Sequence, residues 1–151
     1  MTDQANSTEG TVLVPADSLA AGVIRAEAAA HSLRNLSSLK EAAAALIEAA
    51  NSIGCYQLVA SNAAAEPLAT AAALLSEGTI SFSDKVSNTA QKVLIIDAST
   101  VTGAATRACA ADLRAYGAAW VGSVIYDRVR PDLDNLDNEP LLDFVTTLLP
   151  H

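Results

Sequence analysis

At 151 residues the chain has the length of one domain, enough to bury about two thirds of its unfolded-chain surface in a single core. Apolar residues make up 51% but aromatic residues only 4%, and much of the remainder is alanine, which favours closely packed helices over a bulky core. Nine Lys and Arg stand against seventeen Asp and Glu, a formal charge of -8; that excludes the broad basic surface a nucleic-acid binder needs and makes any anion site a local one.

No apolar run reaches the about 20 residues of a membrane-spanning helix, and Met1–Gly10 lacks the basic start and apolar core of a signal peptide. The expectation is a cytoplasmic protein that contacts no membrane, with a disordered tail over residues 1–10 and one domain over 11–151. Thr11–Val14 can form a short strand that Pro15 stops. Asp17 or Ser18 can cap a helix through Ala20, Ile24 and Ala28 towards His31, which reads as a dipole partner or surface residue at the helix end. Ser38-Leu39-Lys40-Glu41 has capping-box spacing, and Leu39, Ala42, Ala43, Leu46, Ile47 and Ala50 follow as one helical stripe. Gly54 can close that helix, and Cys55–Ala60 gives a short buried strand.

A strand-to-helix turn follows at Ala60–Ala69, with Pro67 suited to the first helical position. Its helix runs to about Ser76 and is followed by Gly78. Thr79–Phe82 can form a strand, and Ser83–Gln91 reads as a polar connection in which Lys85 is the single cation.

Val93–Ile96 has the pattern of a strand buried on both faces of a parallel sheet, with Asp97 ending it. Ser99, Thr100, Val101 and Thr102 make a hydroxyl-rich turn, and Gly103 lets a ligand approach the backbone because no side chain stands in the way. The next helix starts with Ala104, Ala105 and Thr106. Its unpaired N–H groups, the helix dipole and the hydroxyls are suited to a phosphate, and Asp97 to sugar hydroxyls. On spacing alone, the same order serves equally as an ordinary turn and cap.

Ala105, Ala108, Cys109, Leu113 and Tyr116 form the next helical stripe, closed by Gly117, and Ala118–Tyr126 is a β-branched strand followed by Asp127-Arg128. Pro131–Pro140 reads as a solvated acidic loop. It fails as a calcium loop, because Leu136 takes the third ligand position and no glycine follows. Leu141–Leu149 can dock on the sheet edge as a strand or helix. Cys55 and Cys109 read as buried thiols. No metal site and no catalytic residue is assigned. Alternating strands and helices argue for a three-layer α/β/α domain with a mainly parallel sheet, whose ligands sit at the carboxyl ends of the strands. Ser61-Asn62 and Asp97–Gly103 should both lie there.

Val93–Thr106 resembles the phosphoribosyl pyrophosphate loop of type I phosphoribosyltransferases, in which four apolar residues precede two acids and a loop ending in Thr-Gly. Asp97 matches the first acid and Thr102-Gly103 the Thr-Gly, while Ala98 stands at the second acid. Pro67-Leu68-Ala69 resembles the end of the family's pyrophosphate-facing loop, with Ala63–Ala65 where glycines are usual. Asp127-Arg128 is similar to the Asp-Arg after the corresponding strand of orotate phosphoribosyltransferases. The family's closing excursion would have to be made from Thr79–Gln91 alone, and its hood from a piece at either end of the chain. Together these cover about residues 55–128.

The resemblance implies a type I phosphoribosyltransferase-like fold and a substrate site of Asp97, Ser99, Thr100, Val101, Thr102, Gly103, Ala104, Ala105 and Thr106, with Ser61 and Asn62. Its ligand would be ribose 5-phosphate, phosphoribosyl pyrophosphate or a nucleotide, with magnesium if the pyrophosphate is bound. Ala98, the alanine turn and the short excursion imply weak or no transferase activity. The implied state is a homodimer or a subunit of a larger assembly. Two alternatives remain: a structural or regulatory subunit acting through protein contacts, and an active transferase of nucleotide metabolism.

Overall fold

Two alanine-rich helices open the described part of the chain, which comprises residues 18–83 and 92–149 of a computed structural model. The expected strand at Thr11–Val14, the tail, and the connection carrying Lys85 fall on residues outside it. Helix α1 spans Leu19–Ser32 and starts as expected at Ser18, whose Oγ accepts the Ala21 N–H at 3.1 Å. Helix α2 spans Leu36–Ile53 and is capped by Asn35, whose Oδ1 accepts the Ser38 N–H at 3.1 Å. The Ser38–Glu41 capping box is therefore corrected: it lies inside the first turn, because Asn35 offers an equally strong cap three residues earlier. Ala42, Ala43, Leu46 and Ala50 are buried with Leu39 and Ile47 against them, the stripe expected, and Gly54 ends the helix at φ 73°.

Strand β1 is Gln57–Ala60, and one 3-10 turn at Ala63–Ala65 leads into helix α3, Glu66–Leu75, with Pro67 in its first turn. Strand β2 is Ser81–Ser83 and β3 is Lys92–Thr100. Helix α4 is Ala104–Ala115, β4 is Trp120–Arg128, α5 is the single turn Pro131–Asp134, and β5 is Phe144–Thr147. The five strands run parallel in the order β2-β1-β3-β4-β5. Helices α1, α2 and α3 supply the core on one face, with Leu58, Leu94, Ile96 and Val124 beneath them. Helix α4 covers Val59, Val93, Ile95 and Val121 on the other. This is the α/β/α arrangement read from the sequence.

The order reverses between β1 and β3: the chain leaves β1 in one direction across the sheet and β3 in the other. A crevice opens at the carboxyl ends where such a reversal occurs. Ser61 follows β1 at this point and bonds through its N–H to the Ile96 carbonyl at 3.0 Å, so the two strand ends are drawn together. Among the described residues, no helix is long and apolar enough to cross a membrane.

Three expectations need correction. Asp97 does not end its strand; β3 runs on to Thr100 because pairing with β4 continues through Ser99 with Asp127 and Thr100 with Arg128. The buried stripe of α4 is Thr106, Cys109, Ala110 and Leu113, while Ala105, Ala108 and Tyr116 face out. A hydroxyl partner beneath the helix turns Thr106 inward, and the stripe rotates with it. Pro131–Pro140 is solvated only in part: most of it is exposed, but Asp134 and Leu136 are buried, Asp134 held by the guanidinium of Arg128 and Leu136 packed against Gly103. Leu141–Leu149 supplies β5, which pairs with β4 at the sheet edge as expected.

Candidate functional site

A buried carboxylate joins the two turns at the switch point. Asp97 is 1% exposed; the Ser61 hydroxyl donates to its Oδ1 and the Thr106 hydroxyl to its Oδ2. One residue of the central strand thus ties the turn after β1 to the first turn of α4. Burial pushes its carboxyl above the usual aspartate range, and the two hydroxyls pull the other way. Both oxygens are spent on the protein, so Asp97 faces inward where a sugar-binding carboxylate would have to face a ligand. Ala98 beside it is also buried.

The turn itself is built around Gly103, at φ 81°. A Cβ there would lie 2.8 Å from Arg107 Nη1 and 2.9 Å from Leu136 Cδ2, so glycine is required both by conformation and by crowding. Thr102 is exposed, and the leading N–H groups of α4 beyond it have no partner within the helix. Arg107 lies over this turn. It donates from Nη1 to the Thr102 carbonyl at 2.8 Å, from Nε to Glu139 Oε1 at 2.6 Å, and from Nη2 to the Asp134 carbonyl. Three of its five N–H donors are engaged there. Arg107 pulls the Glu139 carboxyl below its ordinary range.

Helix α1 closes the rest of the carboxyl edge. Gly22 lies so near the turn that a Cβ would meet Val101 Cγ1 at 3.0 Å, the Ser99 hydroxyl donates to the Ala26 carbonyl at 3.3 Å, and Arg25 pairs with Asp127 at 3.2 Å. Arg128, the last residue of β4, grips buried Asp134 with two N–H groups at 2.9 and 2.7 Å and reaches Asp137 at 3.1 Å. The Asp127-Arg128 pair is thereby committed to α1 on one side and to α5 on the other.

No protein-family model matches the chain, and no curated protein matches it.

Of the residues singled out from sequence, Ser61, Asp97 and Thr106 meet directly, while Thr102, Ala104 and Ala105 are exposed around the buried Gly103. Ser99 and Val101 lie under α1, and Thr100 is buried. Asn62 is exposed and makes no cap bond. Ser61 and Ala105 line a cleft of about 290 Å³ with Val59, Ala108, Cys109 and Asp112. Its only charged wall residue is acidic, so a phosphate is better served by the rim of the turn than by this cleft. Among the described residues no three acidic, His or Cys side chains converge, and Asp97 is buried with a hydroxyl on each oxygen. Arg107, Arg25 and Asp134 were missed from the sequence. Arg107 carried one signal, since a cation in the first turn of a helix opposes the dipole and needs acidic partners.

Proposed function

We propose that this protein is a phosphoribosyltransferase-like binder of phosphorylated ribose, whether as ribose 5-phosphate, phosphoribosyl pyrophosphate or a nucleotide, held through the turn Asp97–Thr106. In this reading it is cytoplasmic and has weak or no transferase activity. The observation that carries the reading is the Thr102-Gly103 turn at the sheet's switch point, where α4's leading N–H groups have no side-chain cap and the Arg107 guanidinium donates to the Thr102 carbonyl. Phosphate oxygens would accept from these N–H groups, and the helix dipole and Arg107 would offset the anion's charge. The internal engagement of Asp97 argues against transfer, because no carboxylate is left to hold the ribose hydroxyls. Magnesium would enter only on the pyrophosphate of its ligand.

Calorimetric titration of ribose 5-phosphate, a nucleoside monophosphate and phosphoribosyl pyrophosphate, with and without magnesium, tests this on wild type and Thr102→Glu. A glutamate at this exposed position suits the helix start and opposes a phosphate. Saturable binding weakened about tenfold or more in the variant, a loss of about 1.4 kcal/mol, is the expected result. Heat in neither protein would remove the phosphate reading. Pyrophosphate release with any base would replace it by an active transferase.

A second reading, a structural or regulatory subunit working through protein contacts, is favoured by the surface of α2 and α3. Leu36 and Leu74 are 69% and 74% exposed, and Leu39, Pro67, Ala71 and Leu74 line an open apolar groove of about 470 Å³. Surfaces of this kind mark partner sites. A homodimer by light scattering that Leu74→Glu dissociates would support it, and a monomer in both forms would count against it.

A further inference from the structure

Helix α1 is held far more lightly than its length suggests. Only Gly22 and Ala29 are buried along its fourteen residues, while Leu19, Val23 and Ile24 in its N-terminal half are 57%, 48% and 56% exposed. Helix α2, by contrast, buries Ala42, Ala43, Leu46 and Ala50. The firm anchorage of α1 is at its C-terminal end, where Leu33 is fully buried and the Ser32 hydroxyl meets the Tyr126 hydroxyl at 3.3 Å. Its N-terminal half lies over the carboxyl ends of β3 and β4, where its contacts include three small or polar ones. These are Gly22 on Val101, the Ser99 hydroxyl on the Ala26 carbonyl, and Arg25 on Asp127.

We propose that α1 is a lid on the carboxyl edge of β3 and β4, hinged at Leu33–Asn35 and latched by the Arg25–Asp127 ion pair and the Gly22–Val101 contact. Segments with few buried apolar contacts open ahead of the domain as a whole. The Arg25 side chain is 50% exposed, so water and salt weaken the latch. Opening uncovers Ser99, Val101 and Asp127 and withdraws Ala29 and the Ser32–Tyr126 contact from the core on that face, while leaving the Asp97 tie and the core under α4 in place. Resting on the phosphate reading, the lid also gates that site: the ribose of a ligand whose phosphate sits at Thr102–Thr106 needs the space that α1 fills over Val101.

A disulfide staple in the full chain separates these statements. With Gly22→Cys and Val101→Cys, the new thiols lie within bridging reach, since a Cβ on Gly22 stands 3.0 Å from a Val101 methyl position. Hydrogen exchange of the reduced protein should show α1 amides exchanging about tenfold or more ahead of those of α2 and β3. Oxidation should bring them level with the core, and in the unstapled protein Arg25→Gln should speed α1 alone. Exchange of α1 at the rate of α2 in the reduced and wild-type proteins would overturn the lid. In calorimetry, whatever affinity for ribose 5-phosphate the reduced staple shows should mostly be lost when the same protein is oxidised. Equal affinity in both forms would overturn the gating. No binding to either form or to wild type, with α1 still exchanging first, would overturn the phosphate reading and support the lid on its own.

Discussion

Replacing Asp97 by asparagine isolates the energetic role of the carboxylate at the switch point. In the folded chain burial holds this carboxyl above its ordinary 3.8, so between the unfolded-state value and the raised one the folded protein binds more protons than the unfolded. Stability due to this group therefore falls as pH rises through that window, by at most about 1.4 kcal/mol per pH unit for one proton, and the penalty is complete above it. Asparagine cannot ionise, yet it accepts one hydroxyl at Oδ1 and donates to the other from Nδ2. Urea unfolding of wild type and Asp97→Asn from about pH 4 to about pH 8 should show the variant at least as stable at the upper end, losing its advantage as the pH falls. Asp97→Ala behaves differently, because the Thr106 hydroxyl, at 0% exposure, is orphaned at a cost of about 1–3 kcal/mol. Adding Thr106→Val should recover part of that. A loss of more than about 2 kcal/mol in Asp97→Asn at high pH, with the wild-type slope unchanged, would refute the reasoning, since the ionised carboxylate would then be a net source of stability.

Arg128→Met should cost about 3–5 kcal/mol by leaving Asp134, at 0% exposure, without its partner, and the pair Arg128→Met, Asp134→Leu should regain most of it. Calorimetric melting checks both, and an unchanged midpoint in the single variant would contradict the account. Burial, with Asp97 and Asp112 nearby, pushes the Cys109 thiol up to about 12; at about pH 8, four units lower, roughly one thiol in 10⁴ is ionised, so native alkylation should be slow. Rapid labelling of Cys109 would show that its surroundings open freely.

The layering of the fold was legible because periodicity and caps carried it. The α2 stripe, the Gly54 stop, and the four-residue apolar run of β3 each specify an element without reference to the rest of the chain. What could not be read was decided by partners distant in sequence. Asp97 looked like a strand end because acids are rare inside buried strands; the hydroxyls of Thr106 and of Ser61, the latter thirty-six residues away, make one tolerable there. Asp134 and Leu136 looked like solvated loop residues until Arg128 and the surface around Gly103 claimed them. For the site, the turn residues were legible from local chemistry, whereas the cover supplied by α1 and Arg107 depends on tertiary packing. The small side chains of α1, notably Gly22, carry no periodic signal that would have placed it on the carboxyl edge.

The backbone of the turn is where a bound phosphate would register most directly. Amide chemical shifts of uniformly ¹⁵N-labelled protein, followed during titration with ribose 5-phosphate, report on the N–H groups of Gly103, Ala104, Ala105 and Thr106. Saturable shifts centred on these amides, and lost in Thr102→Glu, are what the account predicts. Unshifted amides across the turn at about 10 mM ligand, well above a weak millimolar affinity, in a protein with a folded spectrum, would contradict it.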